Sequence, residues 1–489
     1  VRTFFKLAFF FLLPALAALT AGGLWLYDLM PGSQHWFGIR HRFLPHLCFY
    51  SDAFSYAPGD SLRLYASAGS RCRAVASLRP LSGPDTAALF RSEVTLSFQP
   101  LPDSASQRGC GWQQSLAWRI PDEAPPGWYL AELRTPRRAW RQSIFIRPAA
   151  QAQRKVALIL STLTWNAYNP WGGQSLYTRN RAHRVSFLRP QPLADPWISN
   201  SLENRQLYYQ AANKDLYLAR LLDSAGIAFD VYGEEDLQLR PGLLGGYKAL
   251  LFSTHSEYWT PEMLAHLNRC LEGGSSALVL AGNVCAWVTQ YDSARREISV
   301  YKENRNLWEE ADSAGLRPWG TEYDYLAFHT YAPYRVLSDS AWVFEGTGLK
   351  QGDLFGLRSD TYDYTFMYGS PWEALRGLLN RGRMGAASGL EIDKTYAHTP
   401  ANWITLASGI NPPVEGTGQV YPDLGLQWDQ LGGADMGYYV HPGGGMVFHA
   451  SSMSFTGAIP HDPAIRRIIL NAVWKAGALT PPASARSPQ

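Results

Sequence analysis

No HExxH, no CxxC pair and no cluster of histidines at zinc spacing occurs in the 489 residues, and the GxSxG elbow of serine hydrolases is missing too. These absences argue against a zinc hydrolase and against an elbow-type serine nucleophile. Charge of one sign is also lacking. Asp, Glu, Lys and Arg make up 17% of residues and the net charge is +3, which removes the electrostatic footprint of a nucleic-acid binder. Cysteine is scarce, with five copies, and does not settle the redox compartment. Cys72 and Cys110 are candidates for a bridge, whereas Cys270 and Cys285 read as buried thiols, with nothing near Cys285 to activate it as a nucleophile. Tryptophan is abundant, at 18 copies. It suits a sugar-like or small organic ligand or, more plainly, aromatic-rich cores and loops.

The length exceeds what one hydrophobic core organises, so two folded domains are expected behind a distinct N-terminal segment. Residues 1–30 read as that segment: Arg2 and Lys6 precede an uncharged run from Leu7 to Leu26, and Trp25 and Tyr27 sit where interfacial anchors belong. An uncleaved transmembrane helix is favoured over a signal peptide cut near the Ala-Leu-Ala of 15–17. Either way the bulk of the chain is expected in the periplasm or outside the cell. Residues 35–148 show short alternating runs between turn residues, such as Leu62, Leu64 and Ala66 after Pro58-Gly59, and predict an immunoglobulin-like β-sandwich. From 155 to 477 the period changes. Val156–Leu160, Phe229–Tyr232, Ala249–Phe252 and Ala277–Leu280 read as strands, with helices ending at Gly226 and running from Thr260 to Gly273. That alternation predicts an α/β domain with a parallel sheet flanked by helices, whose ligands bind beyond the carboxyl ends of the strands. Residues 478–489 are expected to be a disordered tail.

Three strand ends would then meet on one edge. TWNAYNPWGGQSLY, read as a polar loop opening from the first strand, contributes Tyr168 and Tyr177. HSEYW contributes His255 and Glu257, and AGN contributes Asn283 after a glycine that lets the backbone approach a ligand. Downstream, SGLEID presents Glu391 in a neutral stretch. Each has a plain explanation alone, as a rim tyrosine or a hydrogen-bonded surface pair; their joint placement shifts the balance toward a site. Phenolate and carboxylate oxygens suit a ferric or similarly hard ion and leave positions open for substrate and water. Ser256, flanked by His255 and Glu257, does not easily face its own neighbours as a triad.

The series TWNAYNPWGGQSLY, HSEYW, AGNVCAW with ISVYK after it, SGLEID and GADMGYYVHPGGGMVFHASSMSFTG resembles the catalytic domain of the N,N-dimethylformamidase large (beta) subunit family, over most of 155–475. The segment in front is similar to that family's accessory β domain. The resemblance implies a core like class I glutamine amidotransferase domains without their cysteine nucleophile, and a mononuclear iron (Fe3+) held by Tyr168, Tyr177 and Glu257. It also implies His255 beside the metal or moving protons, Asn283 on the substrate or an oxyanion, and Glu391 as general base. The loop between the two tyrosines is shorter than the family's, so Tyr208 or Tyr209 stands as an alternative second phenolate. The expected activity is hydrolysis of the C–N bond of a small linear amide, with a homo-oligomer or a separate small subunit left open. The rival is a non-catalytic envelope protein whose amidase-like cleft binds a glycan or a peptide.

Overall fold

The computed structural model describes residues 47–81, 87–149, 154–177, 182–198, 211–302, 307–308, 317–324, 329–363, 383–409, 419–421, 426–427, 433–477 and 479–481. Its first part consists mainly of strands: β1 (Leu47–Ser51), β2 (Ser55–Tyr56), β3 (Ser61–Ala68), β4 (Cys72–Pro80), β5 (Phe90–Leu96), β6 (Leu116–Arg119), β7 (Gly127–Arg134) and β8 (Ala139–Ile146). They divide between a three-stranded sheet, β1-β3-β6, and a five-stranded one, β2-β8-β7-β4-β5. Along β3, Leu62 and Leu64 are buried while Arg63 faces water. Leu78, Ala131 and Ile144 of the larger sheet join them in one core between the two sheets.

The second part contains β9 (Val156–Leu160), α1 (Thr162–Tyr168), α2 (Asn213–Ser224), β10 (Phe229–Gly233), α3 (Glu234–Leu239), β11 (Ala249–His255), α4 (Pro261–Glu272), β12 (Ser276–Gly282), β13 (Tyr334–Val336), β14 (Leu354–Phe355), β15 (Ile404–Gly409), β16 (Asp435–Val440), β17 (Met446–His449) and α5 (Pro463–Ala476). A nine-stranded sheet runs through it in the order β10-β9-β11-β12-β17-β16-β15-β13-β14. The first five strands are parallel neighbours; from β17 outward every pairing is antiparallel. The helices stop and start where local chemistry allows. Thr260 Oγ1 accepts from Met263 N at 3.1 Å with Pro261 at the first helical position, and Asp462 caps α5 in the same manner ahead of Pro463.

This architecture corrects the expected fold class. A parallel sheet flanked by helices, of the class I glutamine amidotransferase kind, is not what forms: the sheet is mixed and strands dominate the described chain. The cause is local. β9 to β12 are buried on both faces, which parallel pairing demands, whereas β15 and β16 carry exposed or half-exposed residues such as Ile404, Tyr438 and Val440, a pattern only antiparallel pairing accommodates.

The two parts share a core. Phe54, Trp128 and Phe145 from the first lie in the same apolar cluster as Leu158, Trp165 and Phe187 from the second. Arg147 reaches Asp236 across the junction at 3.7 Å, and Ser143 Oγ donates to Ala194 O at 2.7 Å.

The expected membrane segment at 1–30 lies outside the described residues, as do Tyr208, Tyr209 and most of 478–489. Among the described residues no helix is long and apolar enough to cross a membrane, so the membrane-anchored, periplasmic or extracellular placement is withdrawn. The Cys72–Cys110 bridge does not form either: all five cysteines are free thiols.

Candidate active site

The stretch after β9 is not a loop. It turns at once into the seven-residue α1, whose last residue is Tyr168. A helix this short is not stable alone, and its N-terminal cap comes from outside: buried Glu234 accepts from Leu163 N at 3.0 Å and from Ser256 Oγ. Gly172 and Gly173, both with left-handed φ, reverse the chain, and Leu176 N donates back to Ala167 O at 2.9 Å. The return stacks Tyr177 on Tyr168, ring centroids 4.0 Å apart and 14° from parallel.

β11 delivers His255 and Glu257, and the N–H of Glu257 donates to Thr164 Oγ1 of α1 at 3.0 Å. β12 delivers Asn283, whose own N–H donates to both oxygens of Asp393 at 3.0 and 3.1 Å. Glu391 arrives from a remote loop fixed by Asp393 N donating to Ser451 O and Met453 N donating to Leu390 O. Gly282 makes that approach feasible: a Cβ there would stand 1.9 Å from the carbonyl oxygen of Glu391. The glycine expected to admit a ligand thus admits the backbone of a site residue. Thr254, Asn283, Cys285, Glu391 and Ser451, five of the six non-glycine residues with left-handed φ among those described, lie around this cleft. At about 1–3 kcal/mol each, such strain collects where geometry is imposed for function.

The side chains form two connected groups. Glu257 Oε1 accepts from the Tyr177 hydroxyl and, at 2.8 Å, from Trp287 Nε1. Glu391 Oε2 lies 2.7 Å from His255 Nε2 and accepts from Asn283 Nδ2 at 2.9 Å. The His255–Glu391 contact is at ion-pair distance but outside hydrogen-bond alignment. His255 Nε2 and Glu257 Oε2, 3.5 Å apart, link the groups, and one ligand atom from each of His255, Glu257 and Glu391 falls within 4.8 Å of the others. Five buried polar atoms here have no hydrogen-bond partner: both His255 nitrogens, Glu257 Oε2, Asn283 Oδ1 and the Tyr258 hydroxyl. Their grouping in one cleft leaves donors and acceptors there available to a ligand.

The electrostatics differ from group to group. Burial, then the nearby Glu257 and Glu391 carboxylates, hold the Tyr168 and Tyr177 phenols well above their ordinary pKa. Burial alone would depress the His255 imidazole; Glu391, with Glu257 and Asp393, outweighs it and raises the pKa. Behind them, burial pushes Asp393 up to about 8 and His449 down to about 3, and the two side chains lie 3.3 Å apart.

The structure therefore brings Tyr168, Tyr177, His255, Glu257, Asn283 and Glu391 into one cleft. Sequence reasoning missed Trp287, Tyr258 and Lys302, whose Nζ stands 3.3 Å from the Tyr177 ring centroid and 4.5 Å from that of Trp287. All three lie inside the quoted motifs, but only the folded arrangement shows what they touch.

A family model described as N,N-dimethylformamidase beta subunit-like, C-terminal, matches residues 82–465. The chain is 26% identical over 269 residues to the N,N-dimethylformamidase beta subunit of Alcaligenes sp, covering 50% of this chain and 34% of that protein. It is 25% identical over 283 residues to the protein of the same name from Paracoccus aminophilus, covering 53% and 36% respectively. The chain thus matches about a third of the length of these curated relatives.

Proposed function

Because the chain belongs to the N,N-dimethylformamidase beta subunit-like family, we propose that it is a metal-dependent hydrolase that cleaves the C–N bond of a small linear amide. The observation that carries this reading is the set of partnerless buried atoms on His255, Glu257, Asn283 and Tyr258, arranged around two carboxylates. A single hard cation, ferric iron in this proposal, would be held by Glu257 with Tyr168 and Tyr177. The donors fit: Glu257 Oε2 is buried without a partner, Tyr177 already converges on the same carboxylate, and both phenols stay protonated unless a positive charge enters. When bound, such an ion supplies Lewis-acid polarisation of a carbonyl and a more acidic water.

The remaining steps belong to the chain's own side chains. Glu391 takes a proton from the attacking water as general base. His255, whose pKa is raised by Glu391 against the effect of burial, carries a proton for the leaving amine. The proton then passes from Glu391 to the imidazole 2.7 Å away, once the two side chains turn into hydrogen-bond alignment, and the pair is reset. Asn283 fixes the Glu391 carboxylate through Nδ2 and offers its partnerless Oδ1 to the substrate. The Trp287 indole N–H holds Glu257 in place. Since the relatives are named as subunits, we extend the proposal to an oligomeric assembly, which sedimentation measures.

A second reading is favoured by the 4.8 Å grouping of His255, Glu257 and Glu391, which could hold the ion without the phenols. Metal analysis with a visible spectrum decides. Near-stoichiometric iron with a phenolate-to-iron charge-transfer band, abolished in Tyr168→Phe or Tyr177→Phe, is the expected result. Bound metal without that band would favour the second set. A colourless protein that stays metal-free after iron loading would overturn the hydrolase and leave the glycan- or peptide-binding rival.

A further inference from the structure

Arg189 is fully buried, yet no carboxylate among the described residues lies at ion-pair distance from it. Burial pulls its pKa down to about 9, which leaves it a cation at neutral pH. A buried, unpaired charge is costly and persists only where its hydrogen bonds are satisfied. Those bonds go to neutral oxygens. Nε donates to Ser186 O at 2.9 Å, Nη1 to Trp171 O and to Gln174 O at 3.1 Å, and Nη2 to Asn166 O and Oδ1 at 3.1 and 3.3 Å.

The identity of these acceptors carries the inference. Asn166 stands two residues before Tyr168 on α1, and Trp171 and Gln174 lie in the turn that leads to Tyr177. The planar, forked guanidinium is therefore a hub around which the segment joining the two phenols is wound. Its positive charge at the carbonyl end of α1 complements the helix dipole, opposite Glu234 at the other end. Neighbours reinforce the clamp: Gln191 Nε2 donates to Asn166 Oδ1 at 3.2 Å, and Asn169 Nδ2 donates to Pro190 O at 2.9 Å.

We propose that Arg189 is a positioning residue of the proposed hydrolase, setting the 4.0 Å stacking of Tyr168 on Tyr177 and hence the place of their hydroxyls beside Glu257. It touches no reacting atom. The inference rests on the two-phenol reading of the site.

The test uses the full chain with Arg189→Lys, which keeps the charge but not the fork, and Arg189→Met, which keeps only the stem. Hydrogen exchange by mass spectrometry would be followed over residues 166–177 and, as a control, over 249–255, beside the visible spectrum and steady-state kinetics. In Arg189→Lys the expected result is at least about tenfold faster exchange confined to 166–177, a shifted or lost charge-transfer band, and a fall of about 10²-fold in kcat with little change in KM. Arg189→Met should show the same, more strongly. Unchanged exchange at 166–177 would overturn the proposal. So would a loosened segment with the wild-type band and kcat, or loss of protection throughout Arg189→Lys, which would make Arg189 a residue of general stability. A wild-type chain that takes up no metal sinks the site reading before any variant is made, and is thereby told apart from a failure of Arg189 alone.

Discussion

Glu257 and Glu391 enter one cleft from opposite halves of the second part of the chain and keep different company. Glu257 follows a strand of the parallel half and is met by a phenol and an indole, both neutral donors, while one of its oxygens is left without a partner. Glu391 comes from a loop threaded past Gly282 and is met by an imidazole whose pKa is raised and by an amide. Neutral donors orient a carboxylate without cancelling its charge, which suits holding a cation. An ionisable partner at 2.7 Å suits moving a proton. Two identical side chains are thus given different chemistry by what surrounds them.

The largest break in that comparison should come from exchanging each carboxylate for its amide. Glu391→Gln is expected to keep the wild-type metal content and lose about 10²–10⁴-fold in turnover. Glu257→Gln should lose the metal itself. Elemental analysis beside kinetics checks both, and retained activity in both variants would remove the role assignments. A smaller effect should follow from Gly282→Ala, whose methyl would collide with the backbone carrying Glu391 while leaving Glu257 untouched. The expectation is about 1–3 kcal/mol of lost stability and about 10²-fold slower turnover, with metal content unchanged. Metal loss in this variant would show that the two carboxylates are not independent.

The smallest effect concerns the support behind Glu391. Asp393, raised to about 8, binds a proton in the folded state that the unfolded chain has released, so it contributes stability that is lost as pH rises toward 8. His449, lowered to about 3, acts with the opposite sign below its ordinary value near 6.5. The two oppose each other up to about 6.5, and the decline shows between about 6.5 and 8. Urea unfolding across that window should show Asp393→Asn removing a slope of up to about 1.4 kcal/mol per pH unit. Part of the decline should remain, because Glu234 is also pushed up to about 8.

The parallel half of the sheet was legible because its strands must be apolar on both faces, and runs such as Val156–Leu160 and Ala277–Leu280 stand out from any helix-period pattern. The antiparallel half was not. Trp403–Leu406 and Met446–His449 are short apolar runs, and nothing in their composition says that they extend the same sheet. The site divided along the same line. His255, Glu257 and Asn283 follow recognisable strand ends, while Glu391 stood out only as a lone carboxylate in a neutral stretch, after a strand of three residues that shows no pattern of its own, and its role came from family resemblance. The polar stretch after Leu160 was misread as a loop because the groups that stabilise its helix, Glu234 and Arg189, are distant in sequence. Neighbouring contacts explain its asparagines, since Asn166 and Asn169 bind the 185–191 segment.

The shared core bears on how the protein can be cut. The stretch around residues 149–154 invites division of the chain into two expression fragments. Phe54, Trp128 and Phe145 nevertheless pack in one cluster with Trp165, three residues before Tyr168. A fragment beginning after the cut would present that tryptophan to solvent and invite aggregation. An inactive truncated preparation would then report on the missing strands rather than on the chemistry of the cleft.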